Sequence, residues 1–99
     1  MVEANTKFAG LNVNFPDRIY PLDAAKYRAS RTAMLNILPQ SPPGMSIAEL
    51  TPEMASALDG PLFPGGATLG WWIKAVQLDL EARGLVVRSK GSPVRLYKN

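Results

Sequence analysis

Side chains able to do covalent or metal chemistry are few in this chain, and their spacing is poor. The 99 residues hold no cysteine and no histidine. That removes a thiolate nucleophile, a Ser-His catalytic pair, a His- or Cys-ligated zinc and a disulfide scaffold. Carboxylates remain. Asp79 and Glu81 stand two apart on an expected helix and so point to different faces, and Glu49 and Glu53 stand four apart with Pro52 between them. General acid–base work calls for a sheltered group with a displaced pKa, and neither pair has the dense polar setting that provides one. No enzyme, no metal site and no cofactor is expected. Asp79, at the edge of an apolar stripe, reads as half of a structural ion pair with Arg31 or Arg83. The run Pro64-Gly65-Gly66-Ala67-Thr68-Leu69-Gly70 leads into a helix, where backbone N–H groups can face a phosphate. It is no nucleotide loop, because Trp71 and Trp72 follow Gly70 where Lys and Ser or Thr would be needed. It reads either as a sharp structural entry to the helix or as a contact to one DNA phosphate.

The net charge of +3 is unevenly distributed. From Arg83 to Asn99 the cations are Arg83, Arg88, Lys90, Arg95 and Lys98, with no carboxylate among them. All the acids lie before Arg83. A basic end on a near-neutral body fits phosphate or an acidic partner. It fits equally a strand edge blunted by Lys and Arg against aggregation.

The elements that position these residues follow from patterning. Hydrophobic residues at 46% and charged residues at 19% give a globular balance rather than a disordered one, and the length allows one small domain. No apolar run approaches the roughly 18 residues of a membrane span. No charged-then-apolar leader is seen, so the cytoplasm is the expected compartment. Residues 1–20 read as an N-terminal arm, frayed over 1–7, with a period-two piece at Leu11, Val13 and Phe15 able to lie on the domain. Residues 21–99 read as the domain proper. A first helix is expected from Asp23, a good N-cap, to Pro39, with Tyr27, Ser30, Met34, Ile37 and Leu38 on its inner face. Ser46 and Glu49 form a capping box for a second helix, which Thr51-Pro52-Glu53 interrupts or restarts; Ile47, Leu50, Met54 and Leu58 are its stripe. A loop of about nine residues follows, with Leu62 and Phe63 as anchors. Thr68 caps a third helix that runs to Arg83 and stops at Gly84, burying Leu69, Trp72, Ile73, Val76 and Leu80. Leu85 to Arg88, a turn over 89–93 and Val94 to Tyr97 make a C-terminal hairpin. The expectation is a mainly α fold with a small β-hairpin: a winged helix-turn-helix of three helices closed by a C-terminal wing.

Four runs carry a resemblance: Asp23-Ala24-Ala25-Lys26-Tyr27, Leu62-Phe63-Pro64-Gly65-Gly66-Ala67, Gly70-Trp71-Trp72, and the stretch from Lys74 to Gly84. Together they resemble a family of short bacterial proteins of uncharacterised function with a winged-helix-like fold. The third-helix run is the most specific. The resemblance implies the fold and brings no activity. Winged-helix proteins at large include DNA-binding regulators and modules that hold other proteins, and a fold does not choose between them.

Two functions from different classes remain open. The first is DNA binding or transcription association. Thr68, Lys74 and Gln77 would approach a groove of double-stranded DNA, while Arg88, Lys90 and Arg95 on the hairpin would neutralise phosphates. The charges of the third helix cancel, and Glu81 would meet repulsion there, so it is a poor reader of base edges. The second is an interaction module. On the helix face opposite Leu69, Trp71, Ala75, Leu78 and Ala82 recur at spacings of four, three and four, a second apolar stripe. A helix with two apolar stripes is covered on both sides. The cover is the arm, through Phe8, Leu11, Val13 and Phe15, or else a second copy or another protein.

Overall fold

The computed structural model describes residues 7–99. Residues 1–6, part of the expected frayed terminus, lie outside the described residues. Three helices and two small antiparallel sheets follow in the order β1 (Lys7–Gly10), β2 (Tyr20–Asp23), α1 (Ala24–Ile37), β3 (Met45–Ser46), α2 (Ile47–Ala57), α3 (Leu69–Ala82), β4 (Val86–Arg88) and β5 (Arg95–Lys98). A single 3-10 turn at Pro64–Gly66 lies in the loop before α3.

The helix ends obey local chemistry. The Asp23 carboxylate accepts the Lys26 amide at 3.0 Å and starts α1. Leu38, held extended ahead of Pro39, ends it. Ser46 and Glu49 close a complete capping box at the start of α2, the two bonds measuring 3.1 and 2.9 Å. Helix α2 then runs through Pro52 without a break, contrary to expectation. Pro52 and Ala48 are both exposed, so the carbonyl four residues back that loses its N–H partner can turn to water. Leu50 and Met54, fully buried on either side, hold the helix together. Helix α3 ends on Gly84 at φ 77°. The Gly84 amide donates to the Glu81 carbonyl at 3.1 Å and the Leu85 amide to the Leu80 carbonyl at 2.9 Å, a Schellman pair.

The core lies between the helices and the three-stranded sheet. Tyr27 and Met34 of α1 and Leu38 at its C-cap meet Leu50 and Met54 of α2 and Trp72, Ile73, Val76 and Leu80 of α3. Phe63 closes the core from the loop, Val86 and Leu96 from the sheet. That sheet has the order β3-β5-β4, with Met45 opposite Leu96 and Val87 opposite Tyr97.

The winged helix-turn-helix expectation is corrected by the second sheet. Strand β1 pairs with β2 in the register Lys7 to Asp23 through Gly10 to Tyr20. The described residues thus form a small α/β fold of five strands in two sheets, not a mainly α core closed by one C-terminal wing. The boundary set between residues 20 and 21 falls inside β2, so the described arm is part of the folded unit. Pro21 conceals this strand in the sequence. Lacking an N–H, it fits a two-stranded ladder only where its nitrogen faces away from β1.

Candidate functional site

Helix α3 is clasped by the arm along its outer face. Hydrogen bonds fasten them. The Leu11 amide donates to Asp79 Oδ1 at 2.8 Å, the Val13 amide to the Leu78 carbonyl at 3.3 Å, and Arg83 Nη2 to the Ala9 carbonyl at 3.0 Å. Phe8 stacks on Tyr27 with ring centroids 3.9 Å apart, and the Arg83 guanidinium stands 5.0 Å from the Phe8 centroid.

Asp79 is the anchor of this clasp. It is fully buried and accepts the Tyr27 hydroxyl at 2.5 Å and Arg83 Nε at 2.9 Å, besides the Leu11 amide. The ion pair expected with Arg31 or Arg83 is made with Arg83. Burial and the adjacent Asp79 carboxylate push the Tyr27 hydroxyl up to about 12. The bond to Asp79 raises Arg83 above its ordinary value. The carboxylate is thus surrounded by donors and works as a structural tie.

Between arm and helix a pocket of about 210 Å³ remains. Leu11, Leu22, Ala75 and Leu78 line it with the rings of Tyr20 and Trp71, and Asn12 and Lys74 complete it. Leu78 is covered to 9% exposure, yet Trp71 keeps 58%. The arm therefore covers the middle of the second apolar stripe and leaves both of its ends, Trp71 and Ala82, exposed. Ala75 is half-buried and Ala82 exposed. Of the expected arm residues, Phe8 and Leu11 pack inward, whereas Val13 and Phe15 stay exposed.

The six residues expected to meet DNA are not gathered on one free surface. Gln77 is buried and donates through Nε2 to Glu81 at 2.9 Å. Arg88 grips the same Glu81 through Nε and Nη2 at 3.1 and 3.0 Å, and this bond raises its pKa. Arg95 Nη1 reaches Glu49 at 3.1 Å and the Gly44 carbonyl at 3.3 Å. Glu49 is held below the usual carboxylate range, first by the Ser46 amide and then by Arg95. Lys74 and Lys90 are exposed, and neither joins the ion pairs found among the described residues. Thr68 is exposed in the left-handed region at φ 60°. It makes no capping bond, and its hydroxyl turns back to the Ala67 carbonyl at 2.6 Å.

Sequence reasoning names Leu11 as part of the arm's cover but does not reach Asn12, Tyr20 or Leu22. Leu11 carried the one usable signal, the alternation with Val13 and Phe15. Tyr20 and Leu22 carried none, since β2 is four residues long with Pro21 inside it. Among the described residues no cluster of His, Cys, Asp or Glu is arranged to hold a metal, and no helix is long and apolar enough to cross a membrane.

Fold and site together define a small α/β protein with a recessed apolar surface between an N-terminal strand pair and its last helix. The chain belongs to a family of unknown function, DUF6958, which matches residues 7–96. The match begins at the first residue of β1, so the strand pair lies within the region the family shares. Comparison with the curated proteins and with the solved structures found no match.

Proposed function

We propose that this protein is a cytoplasmic interaction module whose docking face is the groove around Trp71. One observation carries the reading: a tryptophan 58% exposed that lines a mostly apolar pocket. Trp is highly buried on average, and it is enriched among the residues that carry protein interfaces. The pocket volume, about 210 Å³, falls below the roughly 300–1,000 Å³ of sites that enclose small molecules. It is the size of one large side chain.

Panning a random peptide library against the wild type and Trp71→Ala tests this. Sequences sharing an apolar anchor, enriched on the wild type and lost on Trp71→Ala, are the expected result. Identical enrichment on both proteins overturns the reading.

A second reading, contact with double-stranded DNA, is favoured by Lys74 and Lys90, both exposed and outside the ion pairs. They would hold phosphates with weak, strongly salt-dependent affinity. Anisotropy of a labelled duplex of about 20 base pairs tests it. Binding that weakens with salt and with Lys74→Glu plus Lys90→Glu supports this reading; no binding at low salt removes it.

A further inference from the structure

Resting on the docking reading, we infer that the occupant of the Trp71 pocket is an acidic segment of another protein: one large apolar side chain enters the pocket, and a neighbouring carboxylate lies on Lys74. Four features of the surface lead to this occupant.

Among the described residues Lys74 is the only charged one lining the pocket. It also lines a second recess of about 240 Å³ on the other flank of α3, formed with Ile47, Thr51 and Ile73. Lys74 therefore stands on the ridge between two recesses. A peptide crossing that ridge passes the cation whichever recess its anchor fills.

Two arginines beside α3 are engaged. Arg83 is held by Asp79 and Arg88 by Glu81. Lys74 has no such partner among the described residues, so a docked carboxylate displaces no existing ion pair. An exposed lysine in a protein of net charge +3 also draws acidic partners by long-range attraction.

A second copy of this chain fits less well. Two copies joined face to face would set Lys74 against Lys74 on molecules that already repel. Strand addition beside β2 fits less well too, because Pro21 withholds an N–H from the outer edge of that strand. The docking mode left is a side chain inserted between the arm and α3.

The test uses two blocked peptides, a phenylalanine flanked by glutamates and the same phenylalanine flanked by lysines. Binding is followed by calorimetry, beside sedimentation of the protein alone. The expected result is that the glutamate peptide binds at least about tenfold tighter. Lys74→Glu reverses that preference, and Trp71→Ala removes binding of both. Equal affinities that Lys74→Glu leaves unchanged overturn the acidic occupant while the docking face stands. A dimer of the wild type that Trp71→Ala dissociates does the same, with a second copy as the occupant. Failure of both peptides to bind, with library enrichment indifferent to Trp71→Ala, overturns the occupant and the docking face together.

Discussion

Trp71 and Trp72 are consecutive, and their rings meet edge to face with centroids 5.2 Å apart and 79° between planes, yet one is 58% exposed and the other 6%. The step of about 100° per residue on α3 separates an inner tryptophan that builds the core from an outer one that frames the pocket. Their substitution therefore has unequal consequences. Trp72→Ala is expected to cost about 3–5 kcal/mol through the cavity it leaves. Trp71→Ala is expected to cost about 1 kcal/mol or less, mainly the edge contact with Trp72. Urea denaturation of the two variants checks the contrast.

The clasp between arm and helix depends on Asp79. Asp79→Ala leaves the Tyr27 hydroxyl and the Leu11 amide without their acceptor and Arg83 without its carboxylate. The expected loss is about 3–5 kcal/mol. Amide exchange should show the arm releasing first, with the Leu11 and Val13 amides losing protection before those of α1 and α2. Unchanged protection at Leu11 would mean that the arm is held by packing alone.

The same tie has an alkaline signature. Tyr27 titrates at an ordinary value of 10.0 when unfolded and is pushed up to about 12 in the fold. The folded state thus holds the proton more tightly. The resulting stabilisation is complete below pH 10 and is lost as the pH rises from 10 to 12. It amounts to about 2–3 kcal/mol. Tyr27→Phe should flatten this part of the stability curve relative to the wild type, as read from urea midpoints across that range.

Gly44 stands where β3 begins, at φ 85°, and a Cβ there would overlap the Leu96 carbonyl of β5. Both the left-handed backbone and the close strand approach require glycine. Gly44→Ala is expected to cost about 3 kcal/mol or more and to loosen the pairing of Met45 with Leu96. A melting temperature within a degree or two of the wild type would contradict this.

The sequence reveals helix boundaries where a single side chain or backbone rule sets them. Asp23, the Ser46–Glu49 box, Pro39 and Gly84 act over a few residues, and each does what its chemistry implies. Strands β1 and β2 were hidden because each is four residues long and their pairing crosses a nine-residue connection. The visible alternation at Leu11, Val13 and Phe15 lies in that connection, where the Asn12 side chain accepts the Asn14 amide. At the site, Trp71 was legible because helical periodicity sets an outer stripe against an inner one. The engagement of Arg95 was not legible, since its partner Glu49 lies 46 positions away. Arg88 and Gln77 share Glu81, and no local rule foretells that the hairpin folds back onto that carboxylate. Thr68 failed as a cap because the glycine turn delivers it in the left-handed region, from which its hydroxyl reaches only the preceding carbonyl.

The indole N–H resonances of Trp71 and Trp72 test the central claim most directly, because the two rings touch while only one frames the pocket. The titrant is the glutamate-flanked phenylalanine peptide, followed at low and at near-physiological salt. The account expects the Trp71 indole to move progressively and saturably, with the amides of Leu11, Ala75 and Leu78, while Trp72 moves far less. A titration in which the Trp71 indole stays still while other surface amides respond would contradict it.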